Sequence, residues 1–305
     1  MSDLMNEVKE QTPNTPAGGT APAIINSAVT PQSCANCGTA PPANGGTAAP
    51  SSWVYAIGSI EVSYPSVSVE KEFAQAVGRD ETAGLTDRQV FHAVLSKPEN
   101  RYLVRQLCFV LTIEGLKTYL LRPRDPSDFN MLVEAIRPNP SPLDLDVVIG
   151  IKGPIAPPQM CNGLMVPIVV FDQLYSFDRD ALIKSIPKPD KLSAEEFAPA
   201  AEELFDRILQ MTDNAGATDE HRALNYLALR YQAIYSKAAE YFAQNASLTG
   251  VNTQVSPLSR ARKILEVNFS YTNRNTDVVD QCFVRVDVTD EFPFLVTKLS
   301  PYYYR

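Results

Sequence analysis

Apolar positions change period several times along this chain of 305 residues, and each change marks an element. Trp53 to Ile60 is apolar and strand-like. Ser66 to Val77 carries Val69, Phe73, Ala76 and Val77 at helical spacing. Thr86 followed by Gln89 forms a capping box, with Leu85 and Val90 placed as a hydrophobic staple. That helix is predicted to run to about Ser96 and to stop before Pro98. Arg105 to Arg122 reads as a hairpin: Leu107, Phe109, Leu111 and Ile113 alternate, Glu114-Gly115 turns, and Leu116 to Leu121 returns. Ser127 to Ile136 is a short helix. Leu143, Leu145, Val147, Ile149 and Ile151 alternate with Asp144 and Asp146, which predicts a strand whose first half is exposed on one side. Leu164 to Phe171 is a further strand, placed by Pro167 at an edge or a bulge. Asp178 to Ile186 is a helix stopped by Pro187.

The pattern then turns helical. Pro187 to Leu192 is a boundary, and Ser193 to Glu196 is a second capping box with Leu192 and Phe197 as its staple. Pro199 shifts the start of the continuous helix towards itself. Leu204, Ile208 and Met211 share one face of it. Thr218 caps a long helix to about Asn245, along which Leu224, Leu227, Tyr231, Ile234, Ala238 and Tyr241 recur at steps of three and four. With Asp213 to Gly216 as the turn, the two helices form an antiparallel hairpin. The tail is β: Leu265, Val267, Phe269 and Tyr271 alternate with polar residues, as do Cys282, Val284, Val286 and Val288, and Leu295 to Leu299 gives another strand. No regular βαβ period appears, so the fold class is α+β: a mixed or antiparallel sheet with flanking helices, the helical hairpin and a C-terminal β-meander.

Residues 1–51 have almost no large apolar side chains after Ile25 and are dominated by Pro, Gly, Ala, Ser, Thr and Asn. Such a segment cannot bury enough apolar surface to offset its ordering entropy, so it is predicted to be disordered, with Ala48 to Ser52 as the hinge. The expected organisation is a tail over 1–51, an α+β region over 52–188, and a helical hairpin with strands over 189–305, the last two packed as one unit. Composition narrows the partners. A formal charge of -8 argues against a nucleic-acid backbone or an anionic membrane. No apolar run approaches a membrane span, and the N-terminus has no signal-peptide core. Five cysteines, an odd number, do not read as a disulfide framework, so a cytoplasmic setting with reduced thiols is expected.

Cys34-Ala35-Asn36-Cys37-Gly38 is the one generic motif. Its turn can aim two thiolates at a zinc ion, but a structural site takes four ligands. Cys108, Cys161 and Cys282 are isolated. A second chain could complete the site in a homodimer, Cys161 or Cys282 could add ligands, the pair could be redox-active, or both could be free thiols. No Walker loop and no GxGxxG occur, so the motifs establish no cofactor and leave zinc at Cys34 and Cys37 as the one candidate beside the free-thiol reading. The two histidines, His92 and His221, read as satisfied or surface groups, and neither lies in a serine-protease signature. Asp144/Asp146, Glu195/Glu196 and Glu202/Glu203 read as solvated faces. Asp172 and Asp178 flank FDQLYSFD and could line a site, although a helix cap explains Asp178 better. Tyr302 to Tyr304 is a packing anchor or a peptide-binding surface.

The stretch GPIAPPQMCNGLMVPIVVFDQLYSFDRD (Gly153 to Asp180) fits no general motif but resembles the C-terminal domain of the PatA/PatG proteins, the proteases and macrocyclases of cyanobactin biosynthesis. The likeness continues through Trp53 to Ala76, Leu107 to Pro138 and Leu145 to Pro158, and spans about Trp53 to Arg305. In that family a low-complexity linker precedes a domain of no established activity, so the chain is either a free-standing version or a truncation. The resemblance implies a non-catalytic accessory domain that binds a precursor peptide, a partner enzyme or another copy of itself. Two other readings stay open: an enzyme acting on the peptide through carboxylates or a Lys in the 150–180 region, and an oligomerisation scaffold.

Overall fold

The computed structural model describes residues 52–78, 83–188, 193–211 and 213–302. The tail over 1–51 lies outside them, and so do the side chains of Glu195 and Glu196 in the second capping box. The first region closes on itself as a barrel. Its strands are β1 (Trp53–Ser63), β2 (Cys108–Ile113), β3 (Leu116–Pro123), β4 (Asp144–Ile155) and β5 (Pro167–Asp178), in the order β1-β2-β3-β5-β4. Neighbours are antiparallel except β3 and β5, which run parallel. This is a five-stranded Greek-key barrel of the OB kind. The hairpin at Glu114-Gly115 has φ of 50° and 79° at its two central residues, as a tight two-residue turn between twisted strands requires.

Helices α1 (Val67–Val77), α2 (Asp87–Leu95) and α3 (Arg101–Gln106) join β1 to β2, and α4 (Phe129–Ile136) joins β3 to β4. The Thr86–Gln89 capping box forms as expected. Phe73, Val94, Leu103 and Leu132 from these helices pack with Val54, Ala56, Phe109, Leu111, Val148 and Phe171 of the barrel.

Two features of the barrel overturn the sequence reading. Asp144 and Asp146 are buried, not solvated. Asp146 accepts from Ile60 N at 2.7 Å and from the Ser176 hydroxyl, while burial pushes its carboxyl up. Asp144 accepts from Ser141 N at 2.6 Å and pairs with Arg137. Each aspartate faces a neighbouring strand or loop that covers it, which strand alternation cannot reveal. Cys108 and Cys161 are not isolated but disulfide-bonded, with Cα atoms 6.0 Å apart across 53 residues. The bond ties the β4–β5 connection to β2.

The second region holds α5 (Arg179–Ser185), α6 (Ala194–Leu209), α7 (Asp219–Arg230), α8 (Ala233–Ala243) and the strands β6 (Ala246–Val255), β7 (Ile264–Asn273), β8 (Val279–Asp287) and β9 (Phe294–Pro301). The strands form an antiparallel meander in chain order. The inward side chains Val267, Phe269, Cys282, Val284 and Val286 pack on Leu204, Phe205, Ile208, Leu224, Ile234 and Tyr235 of the helices. The long helix expected from Thr218 to Asn245 is broken at Tyr231-Gln232, and α6 packs chiefly on α8. Tyr231 leaves helical geometry (φ −120°, ψ 84°), and its hydroxyl accepts from Leu299 N at 2.9 Å. A hydrogen bond to β9 thus fixes a residue that periodicity alone places mid-helix. Strand β6 was not read from the sequence, because Thr249, Gly250, Asn252 and Gln254 blur its alternation.

The connection from α6 to α7 lies along β1. β2 pairs with β1 only over Ser59 to Ser63, so the first half of β1 has one uncovered edge. There Tyr55 N donates to Gly216 O at 2.8 Å, and Asn225 Nδ2 donates to Tyr55 O at 2.7 Å. Gly216 sits at φ 69°, and a Cβ there would collide with the Tyr55 carbonyl. Glycine is required by both the conformation and the close approach.

Candidate functional site

Among the sequence candidates, Asp172 acquires charged partners. It lies on β5, and Arg124 follows the parallel neighbour β3, its N–H bonded to Phe171 O at 3.0 Å. That backbone contact sets the guanidinium 2.6 Å from the Asp172 carboxylate. From the β8–β9 loop comes Glu291. Its carboxyl is pushed up to about 7, first by burial and then by the neighbouring Asp172 carboxyl, against the pull of Arg124 and Arg222. Arg222 on α7, only 2% exposed, holds this loop by donating to the carbonyls of Val288 (2.9 Å), Asp290 and Glu291 (3.3 Å). It also pairs with Asp219 at 3.2 Å. Nothing in the sequence around Glu291 distinguishes it from an ordinary polar turn, since its partner is 119 positions earlier.

A groove of about 540 Å³ opens at one end of the barrel. One wall is the end of β1 and the start of α1: Val62, Tyr64, Val67 and Glu70. Lys117 of β3 and the Cys161–Leu164 turn form the other. The first wall is rigid for stated reasons. Ser66 caps α1 by accepting from Val69 N at 3.4 Å. Tyr64 packs against Phe73 and Phe91, each with ring centroids 5.7 Å from its own. The second wall is fixed by the disulfide and by Ala156, Met160, Leu164 and Val166 packing over Val110 and Leu120. Val67 is 63% exposed, so the groove presents apolar surface with a carboxylate on one wall and an ammonium on the other.

The remaining candidates are dispersed. Cys34 and Cys37 lie outside the described residues. Cys161 is committed to its disulfide, and Cys282 is buried on β8, its thiol pushed up to about 12 by that burial. Among the described residues no three His, Cys, Asp or Glu are grouped as metal ligands. His92 is half-buried in α2, its pKa lowered by burial. Ser96 Oγ is 3.4 Å from its Nε2 but donates to the His92 carbonyl at 2.6 Å. His221 is half-buried in the first turn of α7, its N–H bonded to the Thr218 cap. Asp178 caps α5 by accepting from Ala181 N at 2.8 Å. Tyr302 packs edge-on against Phe283, 5.8 Å between centroids, which favours the anchor reading. Tyr303 and Tyr304 lie outside the described residues. No described helix is long and apolar enough to cross a membrane.

The architecture, a Greek-key barrel joined to a helix-backed meander, has counterparts among known proteins. Residues 191–302, from the start of α6 to the end of β9, match the family described as PatG C-terminal, and the chain carries a PatG-type C-terminal domain. A solved structure described as PatG Domain of Unknown Function superposes with a TM-score of 0.65 at 18% identity, covering 83% of this chain and 99% of that one. That coverage exceeds what residues 191–302 supply, so the likeness in fold takes in the barrel as well. No curated protein matches the chain.

Proposed function

We propose that this chain is a non-catalytic accessory module of cyanobactin-type ribosomal peptide biosynthesis, and that it binds the precursor peptide in the cytoplasm. The observation that carries the reading is the barrel groove. Its exposed Val67, the ring of Tyr64, and Glu70 and Lys117 suit an extended peptide of mixed side chains. In a reducing compartment the Cys108–Cys161 bond that supports the groove is protected by burial of both residues, because thiol exchange needs access. Calorimetric titration with the pathway's precursor peptide tests the reading. Val67→Glu, a change at an exposed position, should weaken binding about tenfold or more. Equal affinity for the variant rejects the groove.

A second reading, an enzyme acting on the peptide, is favoured by the Asp172–Glu291 pair, a carboxyl whose titration is shifted towards neutrality beside a second carboxylate and two arginines. Mass spectrometry of the precursor incubated with wild type and with Glu291→Gln separates the two. A mass change lost in the variant supports the enzyme, and an unchanged mass with retained binding supports the module.

A further inference from the structure

The chain has five cysteines, and the fold sorts three of them. Cys282 lies on β8, its side chain in the core that the meander shares with α6, α7 and α8. Cys108 and Cys161 meet at the barrel, in a separate small core with Val110, Leu120 and Ala156. Their Cα atoms are 6.0 Å apart and their side chains converge, as a bond between them requires. Convergence is also what a metal ion asks of a pair of ligands. The backbone hydrogen bonds that shape the 156–164 segment stay within the β4–β5 connection: Ala156 N to Val166 O, Met160 N to Pro157 O, Gly163 N to Pro158 O and Leu164 N to Cys161 O. The link from Cys161 to Cys108 is what joins that segment covalently to β2.

We propose that Cys34, Cys37, Cys108 and Cys161 form a four-thiolate zinc site in a chain that folds with its thiols reduced. The ligand count selects them. The Cys34–Cys37 turn supplies two, a closed structural site takes four, and the fold brings together one further pair among the described cysteines. The reach is sufficient. Ser63 pairs with Cys108, so that pair lies ten residue steps along β1 from Trp53, about 33 Å. Sixteen steps separate Cys37 from Trp53 and span up to about 53 Å when extended. Cys161 lines the open groove, which gives the Cys34–Cys37 turn an approach to it. Loading converts four thiols to thiolates, releases four protons to water and needs no oxidant. Burial blocks exchange in both directions: a closed disulfide is shielded from reductant, and a zinc site assembled as the segment folds is shielded from oxidant. Under reducing conditions the ion then does what the disulfide does in the oxidised chain, holding the Cys161–Leu164 turn against β2.

The full chain, purified and kept in a phosphine reductant, is titrated with zinc and with cobalt. Metal analysis is expected to give about one ion per chain. Cobalt should show the intense visible bands of a tetrahedral four-thiolate site, a readout that needs no variant. Cys37→Ser, Cys108→Ser and Cys161→Ser should each weaken zinc binding on the order of a hundredfold, while Cys282→Ser leaves it unchanged. Half an ion per chain, a cobalt spectrum of fewer than four sulfurs, or no bound metal in the reduced chain overturns the proposal. So does a zinc affinity indifferent to Cys108→Ser or Cys161→Ser, or one lost in Cys282→Ser. The precursor peptide enters none of these measurements, so failure here leaves the groove reading standing.

Discussion

The barrel and the meander handle exposed strand edges in opposite ways. The barrel leaves almost none: β4 and β1 close the sheet, and where β1 outruns β2 the chain brings Gly216 and Asn225 to bond Tyr55. The meander keeps its one apolar face under α6, α7 and α8 and ends in two strands with no outer partner among the described residues. Closure also means burial on both faces. In β1, Val54 and Ala56 point into the barrel while Tyr55 and Ile57 pack outward near Tyr226 and Leu229. The difference divides the labour: the closed unit presents a rigid groove, and the open unit presents an edge.

The largest effect expected from testing this contrast comes from the disulfide. Cys108→Ser should lower stability by about 4 kcal/mol, the loop-closure value for 53 residues, read by denaturant unfolding without reductant. A loss below about 1 kcal/mol would mean that packing of the 156–166 segment alone holds the groove wall. Next is the cover over β1. Asn225→Leu leaves the Tyr55 carbonyl and the buried Asn214 amide without their partner, and should cost about 2 kcal/mol. No change would show that the edge tolerates exposure.

A smaller effect lies where the two regions meet. The Glu291 carboxyl is raised from 4.5 to about 7 in the folded state, so the native protein holds a proton that the unfolded chain has released. Its contribution is therefore fully present below pH 4.5 and is lost as pH rises through about 7. Glu291→Gln should flatten that part of the stability–pH curve, and an unaltered curve places the titration elsewhere. The smallest effect is at the open edge. Asn252→Lys should shift the stability of the monomer by no more than about 0.5 kcal/mol, because the side chain is exposed.

Much of this architecture was legible in the chain. The Thr86 capping box, the Glu114-Gly115 turn, the Asp178 cap and the inward faces of β7 and β8 were each carried by local chemistry or a strict period. What escaped depends on partners distant in sequence. Burial of Asp146, the break at Tyr231, the Cys108–Cys161 bond and the placing of Glu291 near Asp172 each need a residue that only the folded topology brings near. β6 escaped for the opposite reason, a local pattern too polar to read as a strand. The candidate site was legible only as Asp172, while the groove is made from a strand end, a helix start and a turn that no single period links.

Amide hydrogen exchange with and without the precursor peptide tests the central claim most directly, because it locates binding on the chain. Slowed exchange confined to Val62–Val67 and Cys161–Leu164 is the predicted result. Protection confined to Val288–Glu291 or to Gly250–Val255, or no protection at saturating peptide, would contradict it.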